Sequence, residues 1–308
     1  LLAYRHGFHA GNHGDVLKHV VLVHTLSHLV AKPAALMVVD THAGAGTYRL
    51  DDRHAQTTRE YDDGIGRLWG RADPPAAVAD YLAMVRRFNT GDALLRYPGS
   101  PAIARALLRP KDPLRLFELH PTDLRHLVAD FGRERSCQVT QADGFEALRA
   151  LLPPPSRRAL ALIDPSYELL PDYARVVTCV RDALARFAQG VYVVWYPVVG
   201  RAVSAQLPAR LARLARAAPK GWLHASLSLA EPDEGGHGMT GSGIVVINPP
   251  HTLADALREA LPWLRDALAR SPRARWLLEG EGQAGLAAPP RGPVGVWRPS
   301  RPRPGASS

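Results

Sequence analysis

Cysteine is nearly absent from this chain of 308 residues: Cys137 and Cys179 lie in separate apolar stretches, without a CxxC or other metal spacing. That argues against a disulfide scaffold and for buried thiols in a reducing compartment. Lysine is also scarce, with only Lys18, Lys32, Lys111 and Lys220 among 38 basic residues. Long hydrophobic runs are missing, since no uncharged apolar stretch reaches the roughly 18 residues of a membrane span. The N-terminal LLAYRHGFHAGNHGD lacks the apolar core and cleavage site of a secretory signal, so a cytoplasmic location is expected. Its first residue, Leu rather than Met, fits an alternative start codon or a shortened sequence. There is no internal repeat.

What remains is an ordinary globular composition, 46% apolar and 22% charged, long enough for two domains or one large one. The excess of base over acid, 38 − 29 = +9, makes a polyanion, nucleic acid first, the partner to consider. The bias to Arg, with abundant Ala and Pro, also fits nucleotide composition. Residues 282–308 alone hold four Arg and no acid, which leaves +9 − 4 = +5 for the rest. Bulk charge is therefore a weak guide, and the motifs must carry the reading.

Apolar runs of strand length alternate with helical stretches: ALMVVD (35–40), LRLFELH (114–120), CQVTQAD (137–143), RALALIDP (158–165) and VYVVWYPVV (191–199). This rhythm predicts βαβ units, and the continuous apolarity of LMVV and ALALI suits central strands of a parallel sheet. Two later runs, 223–230 and 241–250, have no helix-length crossover between them and predict an antiparallel hairpin at the sheet edge. A parallel sheet closed by a reversed strand points to the methyltransferase variant of the doubly wound fold. The stretch VLKHVVLVHTLSHLV (16–30) reads as an amphipathic helix anchoring the N-terminal arm. Residues 51–98 break the rhythm and read as a helical insertion, followed by a helix with Ser100 as N-cap and Pro101 at its first position. The tail 282–308, rich in Gly, Pro and Arg, is expected to be disordered.

Ligands of open α/β sheets bind beyond the carboxyl ends of the strands, where Asp40, Glu118, Asp143 and Asp164 would converge. The loop DTHAGAG (40–46) follows a strand, and Gly44 and Gly46 allow close backbone approach; its other reading is a tight turn. It lacks the third glycine of GxGxxG, which disfavours a dinucleotide and hence a nicotinamide-dependent oxidoreductase. Glu118 suits both hydroxyls of a ribose. Asp143, before Gly144, either receives an adenine amino group or caps the helix that follows.

The segment IDPSY (163–167) is the most specific, because it approaches the [DNS]-P-P-[YFW] signature of enzymes that methylate exocyclic amino groups of bases. An adenine amino nitrogen delocalises its lone pair into the ring and attacks a methyl sulfonium poorly unless acceptors hold its hydrogens. The Asp164 carboxylate and the Pro165 carbonyl are candidate acceptors, and Tyr167 is a candidate stacking surface for an extruded base. The plain alternative is a β-turn with a core-capping Tyr. Six of the 13 histidines fall in the first 28 residues, but no HExxH accompanies the i,i+4 pairs His9/His13 and His24/His28. The arm is read instead as an RNA contact through Tyr4, Arg5, His6, Phe8 and Lys18, and no metal is assigned.

Taken in order, YRHGFHAGNHGDVLKH, DTHAGAGTY, YPGSP, ELHP, ADGF, DPSY, WYPV and MTGSGIVVINPP resemble the bacterial methyltransferases that modify N6 of an adenine in 23S ribosomal RNA. The resemblance spans about residues 1–270. It implies a Rossmann-like class I methyltransferase fold, mostly parallel with an antiparallel edge hairpin, divided into 1–50, a small helical insertion subdomain at 51–98, the remainder at 99–281, and the tail. It implies S-adenosyl-L-methionine as cofactor, lined by His19, His42, Ser100, Glu118, Asp143, Gly144 and Asp164, with catalysis at Asp164, Pro165 and Tyr167. Tyr4, with His6 and Lys18, would contact the RNA. The implied target is adenine 2030 in the usual nucleotide numbering, presented by protein-free 23S rRNA or an early assembly intermediate to a monomeric enzyme. Ser166 departs from the signature's second Pro, so a looser turn is expected. Adenine-N6 methylation of DNA, or a non-catalytic RNA-binding protein with the same fold, are the alternatives.

Overall fold

A computed structural model of the chain describes residues 5–231, 238–283 and 286. The elements follow in order as α1 (His13–Val30), β1 (Met37–Asp40), β2 (Thr47–Arg49), α2 (Arg53–Thr58), α3 (Ile65–Trp69), α4 (Ala76–Arg86), β3 (Arg96–Pro98) and α5 (Ser100–Leu107). Then come β4 (Leu114–Phe117), α6 (Pro121–Phe131), β5 (Cys137–Thr140), α7 (Gly144–Leu151), β6 (Ala159–Ile163), α8 (Leu170–Arg186) and β7 (Val191–Val198). The chain closes with α9 (Ala202–Ala215), β8 (Trp222–Ser228), β9 (Gly241–Ile247), α10 (Leu253–Leu268) and β10 (Arg275–Glu281).

Eight strands form one sheet in the order β10-β8-β9-β7-β6-β1-β4-β5. The pairs β5–β4, β4–β1, β1–β6 and β6–β7 are parallel, as the continuous apolar runs predict. Both β9 against β7 and β8 against β9 are antiparallel. The expected hairpin of β8 and β9 thus exists, but it does not form the edge. RWLLEGE at 275–281 adds β10 antiparallel to β8 outside it, a strand the sequence reading left out.

The sheet separates two apolar clusters, one gathered around α1, α4, α5 and α10, the other around α7, α8 and α9. Cys137 belongs to the first cluster and Cys179 to the second, both free and buried. Burial pushes these thiols up to about 11 and about 12, so they are inert at neutral pH. Helix α1 departs from expectation in two ways. It starts three residues earlier, with the Asn12 side chain accepting from the Asp15 N–H at 3.0 Å. It is also buried almost all round rather than amphipathic, because α4, α5 and α10 cover the faces the sheet leaves free.

The segment 51–98 is helical, as read, but shares the main core: Ile65, Leu68, Val78, Tyr81, Leu82 and Val85 lie in the same cluster as α1. Its ends are tied together where β2 pairs antiparallel with β3. Ser100 is the first residue of α5 and Gly99 its N-cap, so the capping role read for Ser100 is corrected; its hydroxyl is free for another partner. Among the described residues no helix is long and apolar enough to cross a membrane. The expected disorder of 282–308 concerns residues outside those described, except for 282, 283 and 286.

Because Leu17 is fully buried at the centre of the α1 cluster, Leu17→Ala is expected to cost about 2–5 kcal/mol of unfolding free energy. Urea denaturation measures it. A loss under roughly 1 kcal/mol would mean that α1 is not the packing centre described.

Candidate active site

Strands β1, β4 and β6 are neighbours and run the same way, so Asp40, Glu118 and Asp164 emerge at one edge of the sheet. The loop after β1 turns through Gly44 and Gly46, at φ +61° and +85°, conformations that favour glycine. A Cβ on Gly44 would stand 2.3 Å from the Tyr48 hydroxyl, and one on Gly144 would stand 1.9 Å from the Thr41 carbonyl oxygen. Only glycine lets the start of α7 and the β1 loop meet. Glu118 accepts from the Gly44 N–H at 2.8 Å and the His120 N–H at 2.7 Å, which orients both oxygens while burial raises its pKa.

These elements enclose a cavity bordered by His19, His42, Ser100, Glu118, Asp143, Gly144 and Asp164, among others. The structure therefore brings together every residue that the resemblance implies for a cofactor. His19 is fully buried; its Nδ1 meets the Tyr97 hydroxyl at 2.7 Å and its Nε2 has no partner among the described residues. Burial drives its pKa down to about 3, and that of His42 to about 4, so both rings are neutral. Ser100 donates its hydroxyl proton to Asp40 at 2.6 Å instead of capping. Asp143 does cap α7, accepting from the Phe145 N–H at 3.0 Å, and its second oxygen pairs with Arg175. Capping and cavity lining, set against each other in the sequence reading, coexist at this residue.

Lys18 is only 4% exposed, and its ammonium lies 2.7 Å from Asp15 and 2.6 Å from Asp164. This corrects its reading as an RNA phosphate contact: two carboxylates already neutralise it, inside the protein. Burial would lower the Lys18 pKa, but the two carboxylates hold it above the usual lysine range. Burial would likewise raise Asp15, but His6 and Lys18 hold it well below the carboxylate range. His6 bonds Asp15 through Nε2 at 2.9 Å, which pins the arm beside the site. Tyr4 lies outside the described residues.

A second, wider cavity begins at Asp164 and Ser166 and has Tyr167, Tyr173 and Trp195 among its lining residues, the two tyrosines almost fully buried. Lys18, Asp164, Ser166 and His6 border both cavities. Pro165 borders the first. Tyr167 is 3% exposed, with its hydroxyl donating to the Trp195 carbonyl at 2.7 Å and its backbone at φ +53°. That φ is unusual for a non-glycine residue. Arg201 donates to the carbonyls of Tyr167 and Glu168 at 3.4 and 3.5 Å, so the turn is held by contacts that bypass residue 166. Trp195, Tyr173 and the rim residues Arg59, Arg201 and Arg270 were missed as candidates. Their only signal was the WYPV motif, since an isolated Arg in an Arg-rich chain has no distinguishing neighbour.

Among the described residues, no group of three or more His, Cys, Asp or Glu side chains could hold a metal ion. Of the N-terminal histidines, His9 bonds Glu60 at 2.9 Å and His24 bonds Thr252 at 2.9 Å.

A family profile described as "Ribosomal RNA large subunit methyltransferase D, RlmJ" matches residues 33–279. A protein of Escherichia coli (strain K12) named "Ribosomal RNA large subunit methyltransferase J" is 46% identical over 268 residues, 87% of this chain and 94% of that protein. Its namesake in Haemophilus influenzae is 43% identical over 280 residues, 91% of this chain and 98% of the relative. A crystal structure of a Legionella pneumophila protein superposes with a TM-score of 0.81 at 34% identity, covering 91% of this chain and all of the other.

Burial pushes the Asp40 carboxyl up to about 6. Asp40 therefore holds its proton more tightly folded than unfolded, and its contribution to stability is complete below the unfolded pKa and lost as pH rises through about 6. Asp40→Asn, which cannot titrate, is expected to gain roughly 2–3 kcal/mol on wild type between about pH 4 and pH 7. Urea unfolding of both proteins across that range measures the difference. A difference that does not change with pH would show that Asp40 keeps an ordinary pKa.

Proposed function

The chain belongs to the family of ribosomal RNA large subunit methyltransferases J, and from that premise we propose that it methylates N6 of one adenine in 23S rRNA, using S-adenosylmethionine. The observation that carries the proposal is the meeting of two cavities at Asp164. One is lined by cofactor-type groups, the other by aromatic rings. A methyl donor and a base placed in them approach each other at a single carboxylate.

The residues of the first cavity fit S-adenosylmethionine. Glu118 is oriented by two backbone N–H groups and retains lone pairs for ribose hydroxyls. The buried Nε2 of His19 is a polar atom without a partner among the described residues, as a ligand-facing group would be. When bound, the cofactor supplies an activated methyl group on a sulfonium, so the protein needs no covalent intermediate and contributes orientation and charge placement.

In the second cavity an extruded adenine would lie against the wall of Tyr167, Tyr173 and Trp195. Tyr167 is mostly buried, so it acts as part of that wall, fixed through its hydroxyl, more than as a freely offered stacking face. Lys18 holds Asp164 through Oδ2, while Oδ1 has no hydrogen bond among the described residues. Oδ1 is thus the acceptor for an amino hydrogen, with the Pro165 carbonyl proposed as the second. Drawing both hydrogens away from the ring plane returns lone-pair density to N6. His6, fixed to Asp15 at the border of both cavities, would close the base in. Arg59, Arg201 and Arg270 line the second cavity and are proposed to face the RNA backbone, although Arg59 pairs with Asp62 at 2.7 Å and Arg270 lies 4.0 Å from Asp63.

The test is a mass map of 23S rRNA from cells with and without this protein. One N6-methyladenine is expected to disappear, and a methyl lost from a ribose hydroxyl or a ring carbon instead would overturn the proposal. Asp164→Ala is expected to lower kcat on 23S rRNA transcripts by about a hundredfold or more. Ser166→Pro is expected to change it by less than about tenfold, because Arg201 and the Tyr167 hydroxyl already hold the turn.

A further inference from the structure

Two histidines border the cofactor cavity, His19 fully buried and His42 half-buried, and each has Nδ1 bonded to a hydroxyl group. A neutral imidazole carries one proton, so whichever nitrogen donates to the protein determines what the other offers a ligand. The hydroxyl protons can be traced in both cases.

At His19 the chain runs from Tyr81 to Tyr97 at 3.0 Å and from Tyr97 to Nδ1 at 2.7 Å. Both tyrosines are fully buried, and burial raises both phenols above their usual range, so each keeps its proton. The Tyr81 hydroxyl has no partner other than Tyr97 among the described residues. Were Nδ1 to donate to Tyr97, Tyr97 would donate to Tyr81 and the Tyr81 proton would be buried without an acceptor, which is unfavourable. The reverse direction, Tyr81 to Tyr97 to Nδ1, satisfies every hydroxyl. The proton of His19 is then on Nε2, the atom with no partner among the described residues.

At His42 the direction is opposite. The Thr41 hydroxyl lies 3.0 Å from the Leu162 carbonyl and 2.8 Å from His42 Nδ1. A carbonyl only accepts, so Thr41 donates its single proton to Leu162 and must accept from His42. Donation to the ring instead would leave two oxygen lone pairs facing each other at 3.0 Å. Nδ1 of His42 is therefore protonated and Nε2 is a bare acceptor.

We infer that Tyr81, Tyr97 and Thr41 are positioning residues that lock the two histidines in opposite tautomers, so that His19 offers the cofactor an N–H donor and His42 a lone pair. The amino-acid end of S-adenosylmethionine is a zwitterion, and its ribose carries hydroxyls, so the ligand presents both kinds of partner. A carboxylate oxygen suits His19, and an ammonium or hydroxyl hydrogen suits His42. Equal tautomers would leave one of these unmatched. The inference rests on the cofactor reading above.

Two-bond proton–nitrogen NMR of the ¹⁵N-histidine-labelled chain tests it directly. The pyridine-type nitrogen is expected at Nδ1 in His19 and at Nε2 in His42. Thr41→Val is expected to move the His42 proton to Nε2 and to weaken S-adenosylhomocysteine, measured calorimetrically, by about five- to tenfold. Thr41→Ser should restore both the tautomer and the affinity, which a merely structural role for the residue would not require of the NMR signal. Finding Nε2–H at His42 in the native protein, Nδ1–H at His19, or an unchanged tautomer in Thr41→Val would overturn the inference. Native protein that shows both tautomers but takes up no S-adenosylhomocysteine would instead overturn the cofactor reading and, with it, the ligand assignments drawn here.

Discussion

The ion triad of Asp15, Lys18 and Asp164, the first two buried and the third half-buried, is the joint on which the rest of the site depends. An ammonium taken out of water costs several kcal/mol, and so does each carboxylate, so no member is tenable there alone. Together they tie the first turns of α1 to the end of β6, across 146 residues of sequence. Once Lys18 must reach Asp164, the rotation of α1 about its own axis is set. The next residue, His19, then borders the cofactor cavity, and Asp15 is left where His6 can bond it. Helix, strand and arm are thereby placed by one set of charges.

Beside this charged joint the cavity lining mixes carboxylates such as Glu118, the Asp143–Arg175 ion pair and two neutral histidines. His19 and His42 are held uncharged by burial, and their hydrogen bonds run to hydroxyl groups rather than to carboxylates. Asp40 stands behind Ser100 rather than in the cavity, and burial lifts its pKa toward the physiological range. This division suits a ligand with a cationic sulfonium: the negative carboxylate nearest the reacting centre is balanced by Lys18, and the surrounding groups discriminate by hydrogen-bond polarity. A fully charged cradle would bind tightly but indiscriminately; a fully apolar one would not hold the polar ligand.

The turn after β6 shows how a departure from a signature is absorbed. A second proline would restrict φ at residue 166, but here Tyr167 in a left-handed conformation, its hydroxyl bond to Trp195 and the Arg201 contacts perform the restraint. Strain of about 1–3 kcal/mol at such a residue persists only where neighbours over-determine it. The arrangement of Tyr167 against Tyr173 and Trp195, with ring centroids 4.7 and 6.2 Å away, supplies that over-determination.

Much of the architecture was legible in the sequence because hydrophobic periodicity and strand-end chemistry are local signals. ALMVVD and RALALIDP announced parallel central strands, and Asp40, Glu118 and Asp164 at their ends marked the crevice. The strand β10 escaped notice because RWLLEGE is a half-buried edge segment whose partner, β8, supplies its pairing only in the folded sheet. The same limit applied to side-chain roles. Ser100 looked like an N-cap because Ser before Pro commonly is one, while its hydroxyl actually goes to Asp40, 60 residues away. Lys18 looked like a surface cation because charge in sequence carries no information about burial. The positions of most strands along the chain and the residue types at their ends follow from short-range pattern; the order of strands in the sheet, which proton points where, and which charge meets which, are long-range facts that packing alone decides.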